Sequence, residues 1–203
     1  MYASTQSMTA EMPAPDFDVR AQDSVARAIR GRRTIHDFLP GLPPGDAVLA
    51  AIDVARWAPN HHATEPWHFY LLGPETAAEV ARLNARLVEE KSGAEVAAEK
   101  LARWAAMPGW IVVTCDRSRE ELRQREDYAA CCCAIQNLQL FLWSRGIGVK
   151  WTTGAVTRHP EFYDLIWVDP EMETTVGMLW YGYAAEIPVI RRKSAEEVTV
   201  SLP

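Results

Sequence analysis

The sequence has no pair of cysteines at C-x-x-C spacing: Cys115 stands alone, and Cys131, Cys132 and Cys133 are consecutive. That excludes zinc-knuckle and thioredoxin-like frameworks and reads the run as three small side chains packing along a buried helix. No apolar run approaches the ~20 residues that span a bilayer, so no membrane partner is expected. There is no internal repeat. There is no basic excess either: the formal net charge is −6, so the chain lacks the electrostatic footprint of a nucleic-acid binder. A G-x-G-x-x-G after a strand, a Walker loop, G-x-S-x-G and H-E-x-x-H are all missing. Rossmann, P-loop, hydrolase and zincin readings therefore fall away. Residues 1–18 offer neither a basic start nor an apolar stretch, so no secretory signal is expected and the cytoplasm is the expected location. Their Ser, Thr, Ala and Pro content predicts a flexible tail over residues 1–20, ahead of a single domain over 21–203.

What is present suffices for one core. The chain has 203 residues, 48% of them hydrophobic and 24% charged, an ordinary balance for a globular domain. Asp23 or Ser24 is placed to cap a first helix through Val25, Ala28 and Ile29. Asp46 closes a Gly-Pro-rich loop and is placed to cap a second helix carrying Val48, Leu49, Ile52, Val54 and Ala55, which ends before Pro59. Residues 67–72 read as a short buried strand. Residues 75–106 read as two amphipathic helices broken near Gly93. A strand is expected over 110–115, then a long helix over 126–143 with Ala129, Cys132, Cys133, Gln136, Leu140 and Trp143 at helical spacing. Gly146 closes that helix, and strands follow over 149–153 and 174–182. Residues 197–200 are β-prone. Alternating helices and short apolar strands predict an α/β or α+β layered domain.

Three segments carry candidate chemistry. The turn Arg30-Gly31-Arg32-Arg33-Thr34 offers guanidinium forks and a hydroxyl, a donor set suited to a phosphate dianion; taken alone, the run reads more simply as an exposed helix end. The loop Ala58-Pro59-Asn60-His61-His62-Ala63-Thr64-Glu65-Pro66-Trp67 places two histidines side by side. With no third ligand at helical or hairpin spacing, no metal is expected there. The stretch Gly146-Ile147-Gly148-Val149-Lys150-Trp151-Thr152-Thr153-Gly154 is a glycine-bracketed strand.

In this order and in a chain of this length, the three segments resemble the FMN-dependent nitroreductase family, most closely its small, minimal-length subgroup. The resemblance implies an α+β sandwich with a central, mainly antiparallel sheet flanked by helices. It implies an interlocked homodimer with FMN at the subunit interface and NADH or NADPH as co-substrate. An electron-poor small molecule such as a nitroaromatic or quinone would be the acceptor, reduced by a ping-pong hydride mechanism. It assigns Arg32, Arg33 and Thr34 to the FMN phosphate, with Arg192, and less firmly Arg191, returning to it from the Arg191-Arg192-Lys193-Ser194-Ala195-Glu196-Glu197-Val198 tail. Asn60 and His61 would approach the flavin from the loop, partly that of the partner subunit. Trp151 and Thr152 would line the pocket, and the backbone of Thr153 and Gly154 would reach the N5/O4 edge; no side-chain nucleophile is required. Two positions depart from the broader family pattern: Ala63 stands where an asparagine is usual, and Glu65 where a glutamine is. The same scaffold also supports dehydrogenation and dehalogenation, and a flavin-holding protein without turnover is the further alternative.

Overall fold

The computed structural model describes residues 19–203. Contacts divide the chain into residues 1–31 and 32–203. In the first unit, α1 (Val19–Gly31) carries Arg30 in its last turn, where a cation meets the helix dipole favourably. It begins ahead of Asp23 and Ser24, so neither caps it. Ser24 instead accepts from Arg27 three residues on, at 3.4 Å. The expected tail lies outside the described residues, apart from positions 19 and 20, which are in α1.

The second unit is three-layered. Its sheet runs β1-β2-β4-β3, antiparallel throughout, with β1 Trp67–Leu71, β2 Gly109–Asp116, β3 Gly148–Thr152 and β4 Glu173–Gly182. Side chains alternate across a strand, and β2 divides accordingly. Ile111, Val113 and Cys115 face one core, together with α2 (Gly45–Ala55) and α5 (Glu121–Ser144). Trp110 and Val112 face the other, with α3 (Pro74–Ser92), α4 (Ala94–Ala105) and α6 (Pro160–Leu165). Trp104, Trp110 and Trp180 form an edge-to-face cluster there, with centroids 4.9–5.6 Å apart. The expected break near Gly93 is real: its φ of +88° separates α3 from α4.

Several local expectations are corrected. Asp46 is not the cap of α2; Pro44 holds that position and Asp46 sits in the first turn, accepting from the Ala47 amide at 2.9 Å. Helix α5 starts at Glu121 and buries Ala130, Cys131, Ala134, Ile135, Leu138 and Leu142, not the stripe expected. The expected stripe is almost as apolar, and periodicity cannot choose between two apolar faces of one helix. Cys133 is exposed in consequence, while Cys131 is buried. The β-prone segment after Ser194 begins as α7 (Ala195–Val198), because Ser194 and Glu197 form a reciprocal capping box. The short helix α6, with Pro160 in its first turn, was not anticipated.

Candidate functional site

The Arg32–Thr34 turn is held by the edge of β3. Thr34 bridges Val149 in parallel fashion, and the Ile35 amide donates to the Val149 carbonyl at 3.1 Å. Ile35 is fully buried, and a Cβ added at Gly148 would lie 2.4 Å from its Cγ1. Only glycine lets the two segments approach so closely. The fold thus sets the basic turn against the strand that leads to residues 151–154.

Arg32 reaches α5, where its Nη1 donates to Gln139 Oε1 at 3.4 Å. Its Nε is buried, with no hydrogen-bond partner among the described residues. Burial holds the Arg32 pKa below its ordinary value, and the neighbouring cations Arg192 and Arg33 push it the same way. Residues 160 positions apart are thereby brought to one place. Arg33 is anchored: its Nε donates to the Pro188 carbonyl at 3.1 Å and its Nη1 to the Arg32 carbonyl at 3.0 Å. It ties the C-terminal segment to the turn. Thr34 is exposed, as are Arg191 and Arg192.

Along β3, Trp151 is half-buried against the α5-side core, with its Nε1 buried and without a partner among the described residues. Gly177 on β4 makes room for it, since a Cβ there would fall 2.0 Å from that nitrogen. Thr152 ends the strand, pairing with Met178. Beyond it, the Thr153 carbonyl accepts from Arg158 Nη1 at 3.2 Å, and the Gly154 carbonyl accepts from Thr157 Oγ1 at 2.9 Å. Gly154 is different from Gly148 and Gly177. Its φ of −57° suits any residue, and an added Cβ would meet nothing within 4 Å.

The 58–66 loop is built on other principles. Asn60 Oδ1 accepts from the Glu65 amide at 2.6 Å, and its Nδ2 donates to Thr64 Oγ1 at 3.0 Å. Thr64 in turn donates to Asp127 Oδ1 on α5 at 2.5 Å, and Asp127 is buried. Asn60 therefore spends its amide on the loop. His61 Nδ1 lies 3.0 Å from Glu126 Oε2, and its ring stacks on His62 at 3.9 Å. His62, Ala63 and Glu65 all have positive φ, between 47° and 66°, unusual for residues with a Cβ. Glu65 is exposed.

Sequence reading missed Gln139, Thr64, Glu126 and Asp127. Gln139 had one available signal: it is a polar residue next to Leu138, one turn before Leu142, on what proves the buried face of α5. The partners of Thr64 are visible only in three dimensions.

A family model described as the nitroreductase family matches residues 29–183. The chain belongs to the nitroreductase family. Among its relatives, the Bacillus subtilis (strain 168) protein named "Putative NAD(P)H nitroreductase YfhC" is 30% identical over 185 residues, covering 89% of this chain and 95% of its own. The crystal structure of a nitroreductase-like family protein from Bacillus cereus is similar at TM-score 0.76 and 29% identity, covering 88% of this chain and 95% of that one. A nitroreductase candidate from Desulfovibrio desulfuricans, in complex with FMN, matches at TM-score 0.71 and 20% identity over 88% of this chain and 96% of that one. The mixed sandwich around an antiparallel sheet is the nitroreductase fold. Among the described residues no helix is long and apolar enough to cross a membrane.

Proposed function

We propose that the protein is an FMN-dependent oxidoreductase that uses NADH or NADPH to reduce nitroaromatic, quinone or related electron-poor acceptors. The observation that carries this reading is the orphaned, buried Nε of Arg32, set among Gln139, Arg33 and Arg192. Clustered guanidinium groups repel one another, and a phosphate dianion is the partner that would offset this by charge-assisted bonds. The open space over Gly154 is the second support. Nothing in the chain requires glycine there, and a flat ring lying against that backbone would.

When bound, FMN supplies hydride acceptance from the nicotinamide and hydride donation to the acceptor, in two successive visits to one face. The residues of the chain bind and orient. Arg32 and Arg192 hold the phosphate, Arg33 anchors the C-terminal segment beside them, and Thr34 adds a hydroxyl at the rim. Trp151 packs under the pocket while Thr152 lines it. The amides of Thr153 and Gly154 have no acceptor among the described residues, and would be the donors for the edge where negative charge develops on reduction.

The protein acts as a homodimer in this reading. Helix α5 leaves Leu122 and Tyr128 exposed and Cys132, Phe141 and Trp143 only part-covered. Such a helix calls for a second layer. Glu126 and Gln139 are thirteen residues apart on α5, about 20 Å along its axis, so the His61 loop and the Arg32 corner stand at opposite ends of one helix. A loop that serves the partner subunit's flavin accounts for that separation. The acceptor site would then be completed across the interface.

The test is optical. The purified protein should be yellow, release FMN on denaturation, and bleach when NADPH or NADH is added without oxygen. A yellow protein that neither nucleotide bleaches would be a flavin holder. A colourless protein that FMN fails to reconstitute would overturn the reading.

A further inference from the structure

The two histidines of the loop lacked a third ligand in the sequence, and the fold supplies one. Glu126 precedes Asp127 on α5, and Asp127 is the residue to which Thr64 locks the loop. The same lock therefore delivers Glu126 Oε2 to within 3.0 Å of His61 Nδ1. The left-handed backbone at His62 matters equally. In extended chain, neighbouring side chains point to opposite sides; with φ of 66° at His62, the two rings stack on one side, 3.9 Å apart and 24° from parallel. One ligand atom from each of His61, His62 and Glu126 then lies within 4.8 Å of the other two. Among the described residues this is the one such grouping of histidine, cysteine and carboxylate.

We infer that His61, His62 and Glu126 form a site for a divalent transition-metal ion of the zinc, nickel or copper class. A single ion at about 2.0–2.2 Å from each ligand spaces the ligand atoms about 3–4 Å apart. Small side-chain rotations close the present geometry to that. Two neutral imidazoles and one carboxylate suit these borderline ions and disfavour magnesium and calcium, which prefer all-oxygen shells. His61 and His62 are exposed, so the remaining coordination positions are open to water. The loop is already pinned by Asn60, Thr64 and Asp127, so little ordering accompanies binding. A bound ion would displace the His61–Glu126 hydrogen bond and fix the histidine pair in place.

This inference does not rest on the flavin reading, and its test uses no flavin or nicotinamide. The untagged full chain, freed of metal with a chelator, is titrated with Zn²⁺ by calorimetry, and with Co²⁺ by visible absorption. The expected result is one ion per chain, with affinity weakened at least tenfold by His62→Ala and again by Glu126→Gln. His68→Ala should leave binding unchanged; it removes a part-exposed histidine that pairs with Asp116 at 2.8 Å and is not one of the grouped ligands. Circular dichroism of each variant shows that it remains folded. No Zn²⁺ binding, or binding that survives both His62→Ala and Glu126→Gln, would overturn the site.

Discussion

Two ends of helix α5 handle their polar groups in opposite ways. At the Asp127 end, the 58–66 loop satisfies itself: Asn60, Thr64, the Glu65 amide and Asp127 form a closed chain of hydrogen bonds. At the Gln139 end, Arg32 keeps a buried Nε among other cations with no partner among the described residues, and on β3 the same holds for Trp151 Nε1. Buried polar groups in folded proteins are nearly always paired. The loop is held rigid without any ligand, while in our proposal the corner left open among like charges takes one. Two further unpartnered atoms, Thr175 Oγ1 and Trp180 Nε1, lie on β4; no ligand is assigned to them.

The sharpest break of this comparison is Arg32→Ala. Hydrogen bonds from a charged group contribute about 1.5–3 kcal/mol each, so losing the fork should weaken FMN binding about 100-fold. The melting temperature of the FMN-free protein should hold or rise, because a crowded cation is removed. A large drop in that temperature would make Arg32 a structural residue instead.

Thr64→Val is the converse experiment. It strips the buried Asp127 carboxylate of its hydroxyl donor, at a cost of about 1–3 kcal/mol. For a domain of this size, each kcal/mol shifts melting by roughly 2–4 °C. An unchanged melting temperature would show that the loop is not locked through Asp127.

Gly154→Leu should separate ligand from fold. The added Cβ meets nothing within 4 Å, so stability should stay within ~0.5 kcal/mol, while FMN binding should fall at least tenfold. Gly177→Leu makes the contrast, since its side chain collides with Trp151 and should destabilise the fold directly.

The smallest effect expected is a control at Tyr70, which packs on the other face of the sheet from α5. Tyr70 donates both to Glu173 Oε1 and to Oε2 at 2.9 Å, and Thr114 donates to the same carboxylate. Burial first, and then Glu173, pushes the Tyr70 pKa up to about 12 from its usual 10.0. The folded state favours the neutral phenol, so this stabilisation is full below pH 10 and is lost as pH rises through about 12. Denaturant titrations across that window should show a decline that Tyr70→Phe lessens.

How much of this could be read from the residues follows the same division. Sheet strands and the Gly93 break were legible because they rest on local signals: apolar runs bounded by glycine and proline. That Arg32, Arg33 and Arg192 come together was legible only through family resemblance, since no local rule joins residues 160 positions apart; the phosphate they would hold is our proposal. The loop was legible as a motif but not as a mechanism. Asn60 organises its own backbone, and the partners of Thr64 and His61 come from a helix whose buried face periodicity misassigned. The capping box at Ser194 and Glu197 was in plain view as S-x-x-E, yet the β-propensity of Val198 and Val200 hid it.

The most direct test of the central claim compares FMN with riboflavin, which differ only in the phosphate. Equilibrium titrations of both into the wild-type protein and into Arg32→Ala should show a strong preference for FMN, at least about 100-fold, that collapses in the variant. Equal binding of FMN and riboflavin by the wild-type protein would contradict the assignment of the Arg32 corner to a phosphate.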